Sequence, residues 1–167
     1  HPIANNFDHQ GFILDKATGK VRAMTRDFAP SLEGGAVWNH ADGKIYFRAE
    51  TGFDNFIYRL DPSDGKIIRI GTSMPYVKDF SMGDNESKWI AYRGGSFTDD
   101  GVAALVNLKT GKESIVADPQ KENVRDIEFG KMEQWKFTAS DGTEIDGYFC
   151  LPPGFDPQKK YPMIVYY

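Results

Sequence analysis

The sequence predicts an all-β chain, a partial β-propeller of about two and a half stacked blades. Three observations carry that expectation. The first is a turn that keeps returning: Thr18-Gly19-Lys20, Asp64-Gly65-Lys66 and Thr110-Gly111-Lys112, with 46 residues from Gly19 to Gly65 and 46 more to Gly111. The second is the small polar residue four places before each glycine (Asp15, Asp61, Asn107), which closes a run of alternating apolar residues. The third is composition: 14% aromatic, 40% hydrophobic, 17 Gly and 9 Pro describe a folded, turn-rich chain rather than a disordered tail. A period in the forties built of strand-turn-strand units marks propeller blades, because one four-stranded sheet cannot bury both its faces and has to be stacked on neighbours. A closed propeller needs about four to eight blades. The 167 residues are therefore expected to be a piece of a larger protein.

Taken in order, residues 11–14 and 21–24 flank the first turn as the last two strands of an incomplete blade. The second unit starts at Ala36-Val37-Trp38 and turns at Asp42-Gly43, a dipeptide that favours the positive φ angles of a two-residue hairpin. It continues through residues 44–48, where Ile45 and Phe47 share one face and Tyr46 and Arg48 the other. Residues 56–60 and 66–70 complete its four strands. The third unit repeats the plan over residues 77–82, 88–93, 102–108 and 113–116. Val124-Arg125-Asp126-Ile127 then matches Val77-Lys78-Asp79-Phe80 in type without developing into a blade.

After Gly130 the grammar changes. Residues 134–138 run to a hairpin signal at Asp141-Gly142, and residues 144–151 return from it. Pro152-Pro153-Gly154 stops that strand, since proline removes a ladder donor. Residues 161–167 (Tyr-Pro-Met-Ile-Val-Tyr-Tyr) read as the start of an apolar strand buried on both faces.

Charge and residue types narrow the function. A net charge of −4, with no basic stripe, argues against nucleic acid as a partner. No apolar run approaches the about 20 residues of a membrane span. No signal peptide is visible, and the compartment stays open, with periplasm and cytoplasm both compatible. Cys150 is alone, so no internal disulfide forms, and it reads as a small buried hydrophobe. His40 reads as a solvent-facing turn residue, and no histidine has a metal-ligand partner at useful spacing. Thr98-Asp99-Asp100-Gly101 and Gly83-Asp84-Asn85-Glu86 do not follow the calcium-loop pattern, and turn chemistry accounts for both. Glu33-Gly34-Gly35 does not continue into a phosphate-cradling loop, so no cofactor is expected. Trp38, Trp89 and Trp135 are expected to pack between sheets.

Two stretches carry a family resemblance: Phe137-Thr138-Ala139-Ser140-Asp141-Gly142-Thr143-Glu144-Ile145-Asp146-Gly147, and Leu151-Pro152-Pro153-Gly154-Phe155-Asp156-Pro157 with Lys159-Lys160-Tyr161-Pro162. Together they resemble the junction between propeller and catalytic domain in the prolyl oligopeptidase family of serine peptidases, most of all its dipeptidyl peptidase IV and acylaminoacyl peptidase branches. The resemblance implies residues 1–130 as the C-terminal propeller blades. It implies residues 131–167 as the opening hairpin and first core strand of an α/β-hydrolase domain, truncated. It further implies a parent that cleaves short peptides through an acyl-enzyme, with a Ser, Asp and His triad outside this chain. Residues 71–75 and 94–98 place a serine after glycine but lack the closing glycine of G-x-S-x-G. No catalytic residue is therefore assigned here, and the chain alone is expected to be inactive.

In similar proteins an oxyanion-side tyrosine or histidine stands about six residues after the equivalent of Pro162, next to Tyr167. Tyr167 is thus the candidate on that side, although an aromatic ending a core strand is the better reading of it. The alternative is a non-catalytic propeller module that binds partners. Open blade edges are expected to bring copies of the chain together.

Overall fold

The computed structural model describes residues 9–83 and 87–166. It is all-β apart from one four-residue helix, and it divides into two compact units, His1–Glu122 and Asn123–Tyr167.

The first unit opens with a hairpin of β1 (Phe12–Leu14) and β2 (Val21–Ala23). A first complete blade follows, in strand order β3 (Ser31–Asn39), β4 (Lys44–Thr51), β5 (Asp54–Leu60), β6 (Ile67–Arg69). The second blade repeats it with β7 (Tyr76–Met82), β8 (Trp89–Gly95), β9 (Asp100–Asn107) and β10 (Glu113–Ala117). Neighbours within each blade are antiparallel, and a single parallel bridge, Asn55 to Tyr76, joins the two blades. This is the partial propeller that the repeat predicts.

The repeated turn has one geometry in all three places. The Asp15, Asp61 and Asn107 carbonyls accept from Gly19, Gly65 and Gly111 N–H, each at 2.8 Å. The N–H groups of the same three residues donate to the Lys20, Lys66 and Lys112 carbonyls at 2.8–2.9 Å. Their side-chain oxygens accept further N–H groups inside the loop, Ala17 and Thr18 in the first copy, Ser63 in the second, Lys109 and Thr110 in the third. The glycines sit at φ of 69°, 77° and 69°, a conformation in which a Cβ is strained.

These hairpin loops fall at one rim of the unit. At the other rim, Met24 and Leu32 N–H donate to the Gly11 and His9 carbonyls, so the chain enters there, and β10 runs back to it.

Each blade face finds cover on a different neighbour. Ile45, Phe47, Ala49, Phe56, Tyr58 and Leu60 pack against Ile13, Met24, Phe28 and Leu32, with Phe28 edge-on to Phe47 and Tyr58. Tyr46, Ile57 and Ile70, on the opposite face, pack against Val77, Ile90, Tyr92, Ala104 and Val106 of the next blade. The alternation along β4 and β5 thus serves two cores at once, as stacking requires.

In the second unit α1 (Lys121–Val124), which straddles the division, leads to a hairpin of β11 (Lys131–Thr138) and β12 (Glu144–Leu151) in unbroken register. No helix among the described residues is long and apolar enough to cross a membrane.

Five expectations are corrected. Asp42-Gly43 is not a two-residue turn: only the glycine has positive φ, and the loop is four residues long between paired Asn39 and Lys44, whereas Asp141-Gly142 does sit in a hairpin loop, five residues long between Thr138 and Glu144. Val124 closes a helical turn, and residues 125–130 form no strand. Residues 161–166 are not a buried strand. No strand among the described residues lies beside them to accept a ladder, and Met163, Ile164, Val165 and Tyr166 are exposed. Cys150 is exposed, on a hairpin of only two strands. The three tryptophans are also only partly covered. Trp38 and Trp89 are exposed on their strands, and Trp135 stacks on its own hairpin.

Candidate functional site

The seam between the two blades is where polar groups are most closely ordered. Arg48 on β4 crosses it, donating from Nη1 to the Val77 carbonyl at 3.0 Å. Asn39, at the end of β3 and buried, donates from Nδ2 to the Ser87 carbonyl at 3.0 Å while its Oδ1 accepts Ala41 N–H. Asn55 N–H reaches the Pro75 carbonyl at 3.0 Å.

The linker from β6 to β7 is held by Glu113, whose two oxygens accept Ser73 N–H at 3.1 and 3.2 Å and which also accepts the Tyr92 hydroxyl. Burial, then the Glu113 carboxylate, pushes the Tyr92 phenol up. Burial and the Asp42 carboxylate do the same to Tyr46, whose hydroxyl donates to Asp42 Oδ2 at 2.6 Å. Both tyrosines are therefore fixed as neutral donors. They steady Asp42 and Glu113, whose carboxylates in turn accept the Lys44 and Ser73 N–H groups.

The exposed pairs around β7 are Lys78 with Asp100 and Arg93 with Asp79. Exposed ion pairs of this kind stabilise by about 0–1 kcal/mol each. They set the charge of a surface more than they hold it together.

In the second unit, one face of the β11–β12 hairpin carries Trp135, Phe137 and Phe149, with ring centroids 4.9 and 5.3 Å from Trp135. The indole lies over Gly147, where a Cβ would come within 2.3 Å of Nε1. On the other face Lys136 pairs with Asp146 and Glu144. After β12 the chain turns through Pro152-Pro153-Gly154, and the Tyr161 hydroxyl accepts Asp156 N–H as Phe155 and Tyr161 meet at 5.1 Å.

No family model matches the chain. It is 27% identical over 155 residues to dipeptidyl-peptidase 5 of Porphyromonas gingivalis, a match covering 93% of this chain and 22% of that protein. Among solved structures, the acylaminoacyl peptidase of Pyrococcus horikoshii superposes with a TM-score of 0.69 at 19% identity, over 90% of this chain and 22% of that one. Porphyromonas gingivalis dipeptidyl peptidase 4 gives the same TM-score and coverage at 17% identity.

The chain resembles the peptidases of the prolyl oligopeptidase family.

It spans about a fifth of the length of these relatives. Within that span, the serines that follow a glycine in the sequence are structural. Ser73 gives its amide to Glu113, and Ser96 Oγ is shared with Thr98 and Asp99. Among the described residues, no serine hydroxyl is hydrogen-bonded to a histidine ring, and no cluster of three or more His, Cys, Asp or Glu could hold a metal ion. His9 Nδ1 lies 3.1 Å from the Leu32 carbonyl, and His40 is exposed in its turn. Tyr167, the oxyanion-side candidate, lies outside the described residues.

Sequence reasoning missed Asn39, Arg48 and Glu113. Their partners are backbone groups or side chains 48, 29 and 40 residues away, a distance at which no local pattern signals contact.

Proposed function

We propose that this chain is the access wall and the domain junction of a serine peptidase that hydrolyses short peptides through an acyl-enzyme. Residues 1–130 supply the last blades of the propeller. Residues 131–167 supply the opening hairpin of the α/β-hydrolase domain and the apolar segment 161–167, which becomes its first core strand only when the strands of the rest of that domain lie beside it. The triad and the substrate-gripping groups belong to other parts of the polypeptide. Tyr167 is the residue of this chain nearest the oxyanion side.

One observation carries the reading. The match to dipeptidyl-peptidase 5 covers 93% of the chain, so it runs through both units. A module made of blades alone would have no reason to share the hairpin and the Pro-Pro-Gly turn that follow Gly130.

The mechanism assigns this chain a steric task. Acyl transfer needs a serine with a base, a carboxylate to orient the base, and preorganised donors for the oxyanion. Such a site also needs water and large substrates kept out until a substrate is seated. Stacked blades joined by Arg48, Asn39 and Glu113 form a stiff wall, which admits extended or short peptides and excludes folded proteins.

The test uses the full polypeptide that carries this chain. A fluorophosphonate probe should label it at one serine outside residues 1–167, and free-amino or blocked dipeptide chromogens should be hydrolysed, while the 167-residue chain alone does neither. Absence of labelling in the folded full polypeptide would leave the binding-module alternative standing instead.

A further inference from the structure

The two complete blades carry an arginine at one repeat position, Arg48 on β4 and Arg93 on β8, 45 residues apart. In both, the residue directly across the ladder on the first strand is acidic: Glu33 opposes Arg48 and Asp79 opposes Arg93. Opposed residues of an antiparallel pair share a face, with Cβ atoms about 4.5–5.5 Å apart, close enough for an ion pair. The two arginines nevertheless take different partners. Arg93 donates from Nε and Nη2 to Asp79 Oδ2 at 3.0 and 2.7 Å. Arg48 makes no bond to Glu33, and donates from Nη1 to the Val77 carbonyl of the next blade.

What differs between the two positions is the neighbour. The face that Arg48 shares with Tyr46 and Ile57 is packed against Val77 and Ile90 of the second blade. The corresponding face of the second blade, with Ala91, Ala103 and Arg93, is open among the described residues, and the Arg93 and Asp79 side chains are 58% and 61% exposed. One residue pair is thus seen twice, joined where nothing is stacked on it and parted where a blade is.

The local backbone suits such an exchange. β3 bulges between Glu33 and Ala36, and Gly34 there has a φ of 69°. A Cβ on Gly34 would lie 3.3 Å from Arg48 Nη2, so the guanidinium passes a position where a side chain would crowd it. On the acceptor side β7 bulges at Lys78, between Val77 and Asp79, which disrupts the ladder beside the Val77 carbonyl.

We propose that Arg48 is a latch with two alternative partners: it donates to the Val77 carbonyl while the seam between the blades is closed, and turns back to Glu33 when the seam opens. Glu33 is then a positioning residue of the open state. It takes over the charge that the seam releases and so makes parting the blades easier. The closed state is the major one, because Asn39 and the buried Tyr46 and Ile57 hold it too. The latch rests on the blade repeat and holds or fails independently of the peptidase reading.

Hydrogen exchange of the Asn55 amide reads the seam, since that N–H is buried and bonded to the Pro75 carbonyl. Measured by NMR on the 167-residue chain, Glu33→Gln should slow this exchange about two- to fivefold, the fold-change an exposed ion pair produces, because the open state loses its partner. Arg48→Gln should speed it about tenfold, as loss of a charge-assisted hydrogen bond does. Glu33→Gln added to Arg48→Gln should change nothing further, because Glu33 acts only through Arg48. At about 1 M salt, where charges are screened beyond about 3 Å, the Glu33→Gln effect should vanish. Asp79→Asn, which touches only the pair on the open face, should leave the Asn55 amide unchanged. Far-UV circular dichroism checks folding, and Arg48→Lys replaces Arg48→Gln if the latter does not fold. Exchange that is unchanged or faster in Glu33→Gln, an equal Glu33→Gln effect with and without Arg48, or an equal shift from Asp79→Asn would each overturn the latch.

Discussion

Stacking predicts that two residues at one repeat position respond oppositely to substitution. Ile57 and Ala103 are 46 residues apart at equivalent places on β5 and β9. Ile57 is fully buried in the seam, at 0% exposure, whereas Ala103 is only half-buried on the open face. Ile57→Ala removes three carbons from a closed core whose neighbours, Tyr46, Val77 and Ile90 among them, are held by sheet hydrogen bonds and cannot collapse inward. The expected loss is about 2–5 kcal/mol. Ala103→Ile adds the same atoms to a surface with room for them, and the expected change lies within about 0.5 kcal/mol. With a urea slope of about 1–3 kcal/mol per molar, the first variant should lower the unfolding midpoint by on the order of 1–2 M, and the second should leave it in place. The assay is urea unfolding of the 167-residue chain, at a concentration low enough to keep it monomeric, followed by circular dichroism and tryptophan fluorescence. An Ile57→Ala midpoint within error of wild type, or an Ala103→Ile loss of comparable size, would refute the claim that stacking decides which copy of the position is core.

Two further outcomes follow from the seam and the turns. Asn39→Asp should destabilise by about 2–3 kcal/mol, although aspartate occupies the same turn position at Asp15 and Asp61, because Asn39 is buried and its amide nitrogen donates to the Ser87 carbonyl. The urea midpoint checks this, with Asp61→Asn as the control that should be much milder. Asp61 is held below the usual carboxylate range, first by Lys44 and then by the Ser63 hydroxyl and N–H. A lowered folded value means its contribution is present above the unfolded value of about 4 and is lost as pH falls through the folded value. Lys44→Met should therefore flatten the decline of the midpoint below that pH, and an unchanged acid limb would count against the pair.

The blades were legible because three signals agreed: a glycine forced to positive φ every 46 residues, a side chain that accepts loop amides four places before it, and strict alternation along β4 and β5. Each is local, fixed by residues within one turn or one strand. What escaped was set by remote partners or by missing ones. The two-residue reading of Asp42-Gly43 failed because Lys44 pairs with Asn39 rather than Ala41, two residues earlier on β3, where Asn39 Oδ1 takes the Ala41 amide. The lengthening of β3 to Ser31 depends on a bulge between Glu33 and Ala36, at two glycines just before the strand that the sequence starts at Ala36. Residues 161–166 have the composition of a central strand, but a strand is defined by its neighbours, and none is described beside them. The candidate site was legible only as a family junction. The groups that bind the seam, Arg48 and Glu113, are ordinary charged residues until the fold brings them to Val77 and Ser73.

The first unit takes in its chain and releases it at the same rim, opposite the glycine-lysine loops. Tension applied through those two attachments runs across the strands rather than along them. Ladder bonds loaded in that direction part in succession, like a zip, instead of resisting together in shear. The same stack can thus be stiff toward a peptide pressing on it and yet give way strand by strand to a pull at that rim.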